Sequence, residues 1–491
     1  MGGRAAPHLL GAGIALGTGW RLLQATVPER LDWALGAGFL LLVLVVLQGR
    51  GQLHVPDSDR LVLGVPAILL IGAIIWRDSE MLFVVNLLVL AGLVALARPV
   101  RVGLQEQVLR SGVGDLLRRL LHAGRGLALG VFPLLAAARG PESMRAPQTR
   151  WAAGLGVLAI SPVLILFSLL LGSADPVFGQ LLENVVDPEF IGTQVMPVLF
   201  WSWLGAGLLW ALTRAPSATE VVPAGGRVSS PMMTGALAPI AMLFLAFLVL
   251  QSRYLFGGRA VVRGTADLSF AEYARHGFFE LVTIAAMMLP ILLVADWAAS
   301  QHTEADRRRF RSLALCLLVL LSGLLGSAML RMSIYTSEYG LTELRLFTTV
   351  FMGWLGFVFA WFAVTVLRGR RERFTAGAIA SALLMLLLLN AAGPDGVIVR
   401  TNAWRVGQGR SLDAAHLANL GAGAVPATLA VLPALPASDR CEVARLLFDR
   451  WHGTTTGRGG VWTIERWRAT AMLERLGIEA KAACRGIRIG A

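Results

Sequence analysis

The stretch AEYARHGFFEL (271–281) carries Glu272, Tyr273, Arg275, His276 and Glu280 immediately ahead of an apolar run. Side chains of these types pass protons, hold anions or pair with one another. Tyr273, His276 and Glu280 recur every three to four residues, which puts them on one face of a helix. Glu272 and Arg275 fall on a neighbouring face, spaced to form an ion pair. A second segment, RMSIYTSEYGLTELRLF (331–347), adds Arg331, Tyr335, Glu338, Tyr339, Glu343 and Arg345. All four tyrosines of the chain lie in or near these two segments, at 254, 273, 335 and 339.

Anchoring at a lipid–water boundary accounts for the tyrosines but not for the acids and arginines around them. An acid at mid-membrane costs roughly 2.5–3.5 kcal/mol on insertion scales and less near the edge. Glu280 therefore needs protein or water beside it and a cation, and Arg331 and Arg345 are available. Glu343, opening an apolar run, also suits the positive end of a helix dipole. Two readings fit this pattern equally. One is an ion-pair cluster tying two helical hairpins. The other is a ligand pocket lined by Tyr273, His276, Glu280, Arg331, Tyr339, Glu343 and Arg345, with Arg345 meeting an anionic group.

Other chemistry finds little footing. The histidines show no paired metal spacing, and Cys-x-x-Cys, His-Glu-x-x-His and Walker patterns are absent from the sequence. No metal, cofactor or catalytic residue is assigned. TVPERLD (26–32) places Glu29 and Asp32 near a first external turn. Glu29, Glu272 and Glu280 are the acids that a lipid-linked glycosyl or acyl transferase would need as a general base.

The elements that must position these residues follow from composition. Of 491 residues, 56% are hydrophobic and 15% charged, against about 25% charged in soluble proteins. Many apolar stretches approach the roughly 20 residues that cross a bilayer as a helix. The fold class is all-α, a polytopic transmembrane bundle of about eleven spans near 8–24, 31–47, 61–76, 80–97, 151–172, 191–213, 233–251, 278–297, 312–331, 343–366 and 374–391. Continuous apolar runs argue against a β-barrel, whose strands alternate. Trp20-Arg21 spoils a signal-peptide cleavage site, so an uncleaved first span is expected. LALGVFPLLAAA (127–138) is too short to span and reads as interfacial or re-entrant.

The net charge of +13 belongs to arginine-rich loops, which is a membrane pattern rather than a nucleic-acid one. Segment 98–150 has nine arginines against three acids, and 307–311 and 368–373 have four arginines each. Segment 173–190 has four acids and no Lys or Arg. Basic loops stay cytoplasmic. The N-terminus is then inside and the C-terminal region outside a bacterial cytoplasmic membrane, although 252–277, with four arginines and two acids, dissents mildly. Four regions follow: N-terminal spans (1–98), a basic amphipathic cytoplasmic linker (99–150), a transmembrane core (151–391) and an extracytoplasmic helical domain (392–491). In the last, Asp439-x-x-Glu442 has capping-box spacing. Ile464, Trp467, Ala471 and Leu476 follow helical spacing with Gly477 as a stop. Cys316 falls in a span, whereas Cys441 and Cys484 share the last region and are a candidate disulfide if it is outside.

SADPVF (173–178), QSRYLFGG (251–258), AEYARHGFFEL, EYGLTELRLF (338–347), GPDGVIVRTNAWR (393–405) and LDAAHLANLGAGAVPA (412–427) occur in this order. Together they resemble an uncharacterised bacterial membrane-protein family, domain of unknown function 4173, with kinship to family 4153. In that family Asn-Pro-Asp often stands where this chain has Gly393-Pro394-Asp395, and Asp-Ala-Val-Pro where it has Gly423-Ala424-Val425-Pro426. The resemblance implies a bacterial integral membrane protein and supplies no reaction or site. Three functions remain open. They are a transport-type or ligand-binding envelope protein that takes a lipid head group or small solute at the outer ends of the seventh to tenth spans, an outer-leaflet transferase, and a scaffold or sensor. Membrane lipids are the expected partner, and nucleic acid is not.

Overall fold

The computed structural model describes residues 6–27, 30–49, 57–96, 119–120, 123–127, 129–131, 195–213, 237–249, 278–299, 303–451 and 461–483. These are largely helical, with no β-sheet among the described residues. Helices α1 (Ala6–Thr26), α2 (Leu31–Gly49), α3 (Asp57–Trp76), α4 (Glu80–Leu96) and α5 (Met196–Thr213) are followed by α6 (Leu237–Val249) and α7 (Phe278–Ala299). Then come α8 (Glu304–Tyr339), α9 (Glu343–Thr365), α10 (Arg371–Ala392) and α11 (Pro394–Gly407). The C-terminal group is α12 (Ala414–Asn419), α13 (Val425–Val431), α14 (Ala437–Trp451) and α15 (Ile464–Ala483).

Helices α8, α9 and α10 are long and apolar enough to cross a membrane, and α2 to α7 contain shorter apolar helices. Ten of the expected spans coincide with described helices, while 151–172 lies outside the described residues. Length and composition alone qualify three of the ten as crossing candidates, so a count of eleven is not established. Helix α8 has 36 residues and at 1.5 Å per residue is about 54 Å long, against a hydrocarbon thickness of about 30 Å. The helix is therefore about 24 Å longer than a single perpendicular crossing requires. Its first turn carries Glu304 and Asp306 under a Thr303 cap, and Arg307, Arg309 and Arg311 face these acids. Nearby, Arg371 at the start of α10 pairs with Asp296 near the end of α7, at 3.0 Å from Nη2 to Oδ1.

Two apolar cores meet on α9. One joins α6, α7, α8 and α9 through Phe244, Leu292, Leu321, Phe359 and Phe362. The other joins α3, α4 and α10 through Leu70, Leu82 and Leu386, and Phe347 and Val350 of α9 pack against it. A third core unites Val425, Val443, Leu447, Trp451 and Ala469 in the C-terminal helices. A fourth joins Leu341, from the α8–α9 turn, to Ile398, Val399, Leu417 and Leu420. The C-terminal helices thus dock on the bundle rather than hang from it.

Two expected boundaries are corrected. Helix α14 starts at Ala437, so Asp439 sits inside its first turn and is not the cap. Helix α15 runs through Gly477 to Ala483, so Gly477 does not stop it. A glycine costs a helix about 1 kcal/mol, which the surrounding good helix formers absorb. The basic segment 98–150 and the apolar piece 127–138 lie largely outside the described residues. The part that is seen packs on α5, where Gly130 lies against Trp210.

Between α4 and α10, Asn86 and Asn390 exchange amide hydrogen bonds of 3.0 Å in both directions. Asn390 also donates to Leu386 O at 2.9 Å. Replacing one partner strands the other in an apolar interface, whereas replacing both with apolar groups is nearly neutral. Asn390→Leu should lower unfolding stability in detergent by about 1 kcal/mol, and adding Asn86→Leu should restore part of the loss. A double variant no more stable than the single one would show that the pair contributes nothing.

Candidate functional site

Three turns at one end of the bundle form the most highly charged buried region among the described residues. The α3–α4 turn carries Arg77 and Asp78. Asp78, 5% exposed, accepts from Ala422 N at 2.9 Å and from Arg466 Nε at 2.5 Å. Its own N–H donates to Glu465 Oε2 at 2.9 Å. Arg77 pairs with Glu465 Oε1 and donates to Ala391 O at 3.0 Å, at the end of α10. Two acids from two different elements thus use two arginines, each cancelling the other's cost of leaving water. Gly393 closes α10 at φ 68°, and a Cβ there would lie 2.8 Å from Arg77 Nη1. Conformation and space both favour glycine. Pro394 then occupies the first turn of α11, where its missing N–H costs nothing.

Asp395 follows, 2% exposed. No N–H or O–H donor reaches its Oδ1, and the group it meets is another carboxyl, Glu343, the first residue of α9. Burial first, then the charge and hydrogen bond of Glu343, then Glu465 and Asp78, push the Asp395 carboxyl up to about 8. A helix N-terminus favours an anion by typically 0.3–1 kcal/mol. Loss of hydration costs several times more, and Arg77 and Arg466 already serve Glu465 and Asp78. Burial and the neighbouring carboxyls thus act in the same direction, favouring the protonated form of Asp395.

The α8–α9 turn is clasped by the same helix α11. Gly340 ends α8 at φ 83° and donates to Thr336 O at 2.9 Å. The Asn402 amide brackets Leu341, accepting from its N–H at 2.7 Å and donating to its carbonyl at 2.9 Å. Arg405 reaches the carbonyls of Ser337 at 3.0 Å and Glu338 at 2.7 Å. These are the carbonyls that a helix end leaves without partners, and a cation there also opposes the dipole. Arg410 holds the Glu338 carboxylate with two bonds of 2.6 and 3.1 Å. Arg345 donates to Gly340 O and lies 4.0 Å from the centroid of the Tyr335 ring. Tyr335 in turn packs against Tyr339 at 5.2 Å.

The structure therefore gathers Arg345 and Tyr339 around Tyr335, and turns Glu343 towards Asp395 rather than towards a cation. Arg331 is buried on α8. Glu272, Tyr273, Arg275, His276 and Tyr254 lie outside the described residues. Glu280 is on helix α7, with its side chain outside the description. The proposed approach of the two tyrosine segments thus falls beyond the described residues. Cys441 is buried and disulfide-bonded, Cys316 is a free thiol, and Cys484 lies outside the described residues. The sequence reading missed Arg77, Asp78, Asp395, Asn402, Arg405, Glu465 and Arg466. A usable signal was there, because Asp395, Asn402 and Arg405 follow helical spacing within GPDGVIVRTNAWR, and Arg77-Asp78 fills a three-residue turn between apolar helices.

A family model described as Domain of unknown function (DUF4153) matches residues 64–431, most of the chain. The match is to the family named above as kin and does not support the narrower assignment to 4173. No curated protein and no solved structure shows a significant match.

Removing one member of a buried, paired set leaves its partner charged and unpaired, which costs about 3–5 kcal/mol. Asp78→Ala should therefore loosen the C-terminal helices while the bundle still inserts. Limited trypsin digestion in detergent reads this as faster cleavage at Arg466 and Arg468. Cleavage at the wild-type rate would mean that the α3–α4 turn does not hold α15.

Proposed function

The chain belongs to the DUF4153 family, and from that premise and the geometry at its charged end we propose an integral membrane protein of the bacterial envelope, of transport or ligand-binding type. Its C-terminal helices cap the extracytoplasmic end of the bundle, and its ligand is an anionic lipid head group or a small solute of the same charge. The carrying observation is the segregation of charge along α8. Arg307, Arg309, Arg311 and Arg371 cluster where α8 and α10 begin. The turns at 77–79, 340–342 and 393 meet at the far end, around Asp395 and Glu465. Loop charge assigns those three turns to the outside, and their mutual contact is consistent with one shared side. The Cys441 disulfide agrees with an oxidising compartment.

A rim of aromatic side chains supports the lipid reading. Tyr339 is 57% exposed, Trp404 65% and Trp467 59%, and Arg468 lies 5.0 Å from the Trp76 ring. Tyr and Trp suit the head-group layer, where one edge is wet and the ring is not. Arg345 stands in this rim beside Tyr335 and Tyr339, and guanidinium is the side chain best shaped for phosphate or carboxylate.

Mass spectrometry of molecules that co-purify in gentle detergent tests this reading. An anionic species should accompany wild type and be depleted at least about tenfold in Arg345→Ala, equivalent to the roughly 1.4 kcal/mol of one charge-assisted bond. Glu280→Ala should also lose it. Identical species in wild type and both variants, with normal insertion, would defeat the proposal.

A further inference from the structure

The structure assigns a proton-binding site to the carboxyl pair Asp395–Glu343, in which one shared proton fastens the C-terminal helices to the membrane bundle. It extends the proposed function without depending on it, since the bound species is a proton and the joint it closes lies behind the aromatic rim.

The argument rests on donors and charges. Asp395 belongs to α11 and Glu343 to α9, so the pair joins the bundle to the helix that leads into the C-terminal group. Asp395 is almost wholly buried and its Oδ1 meets no donor. Two ionised carboxyls in contact repel, and neither then has a hydrogen to share. One proton removes a charge and creates the missing donor in a single step. The groups facing Asp395 offer no substitute. From the α3–α4 turn, Asp78 adds negative charge, and Arg77 is engaged by Glu465. From α15, Glu465 adds negative charge, and Arg466 is engaged by Asp78. From α9, Arg345 is turned to Gly340 O and Tyr335. On α11 itself, Arg400 lies over Gly396 and is exposed to solvent, which screens its charge. The backbone of Gly421 closes the remaining side, where a Cβ would lie 2.7 Å from Asp395 Oδ2.

The sign follows from linkage. An acid whose folded value lies near 8 and whose ordinary value is 3.8 binds its proton more tightly in the closed state. The closed state therefore gains most below pH 4 and loses this contribution progressively as pH climbs to about 8. Above that, both carboxyls are ionised and the α9–α11 contact becomes repulsive.

The experiment uses the full chain in lipid nanodiscs, titrated from about pH 5 to about pH 9. Infrared difference spectra should show a protonated-carboxyl C=O stretch that disappears as the pH rises and is missing in Asp395→Asn. Glu343→Gln removes the neighbouring charge, so the midpoint should move to lower pH while amide exchange over 394–405 below that midpoint stays at the wild-type rate, which separates loss of the charge from loosening of the fold. Amide exchange over 394–405, corrected for intrinsic rate, should rise at least about tenfold across the same range in wild type. It should stay flat in Asp395→Asn, whose amide stays neutral and keeps a donor. If Asp395→Asn fails to fold, the wild-type band and its shift in Glu343→Gln decide alone. Absence of the band in wild type, or a midpoint unmoved in Glu343→Gln, overturns the assignment.

Discussion

Charges taken out of water must cancel where they stand, and at one end of this molecule that requirement organises everything else. Arg77 with Glu465, and Arg466 with Asp78, form two crossed pairs in which each acid comes from a different element from its arginine. The crossing matters more than the strength of either pair. Neither the α3–α4 turn nor α15 is self-sufficient, so the short turn of the bundle and the last helix of the chain stabilise each other. Such pairs add little net stability over apolar packing but penalise every arrangement that separates them. They specify where α15 sits.

With those arginines spent, the remaining acids, Asp395 and Glu343, are left to each other, and the same helix that carries Asp395 closes the end of α8 through Asn402 and Arg405. One face of α11 thus meets two different needs, a carboxyl without a donor and backbone carbonyls without partners. Gly340 and Gly393 allow this closeness. At both positions a side chain would intrude on the polar groups opposite, Asn402 and Arg405 at the first and Arg77 at the second.

Much of the helical layout was legible in the sequence because a bilayer imposes a length and a composition on anything that crosses it. The runs beginning near 31, 80, 278, 343 and 374 coincide with α2, α4, α7, α9 and α10. The site was only half legible. Glu343, Arg345 and Tyr339 were recognisable as charged or phenolic groups beside apolar runs, but their partners lie far away in sequence. Asp395 and Glu465 meet α9 and the α3–α4 turn only after the chain has folded back, and no local periodicity encodes that return. Helix ends misled for a simpler reason. Asp439 and Gly477 follow local preferences worth about 1 kcal/mol, which packing of Val443, Leu447 and Ala469 in one core easily exceeds.

Helix α9 contributes to both bundle cores, with Phe359 and Phe362 in one and Phe347 and Val350 against the other. Helix α10 does the same, with Phe374 in the first and Leu386 in the second. Tightly packed interiors move as blocks rather than by bending, so a displacement of α9 would be felt by both sets of neighbours together. Its first residue is Glu343, which puts the carboxyl pair at the end of a helix that both cores share.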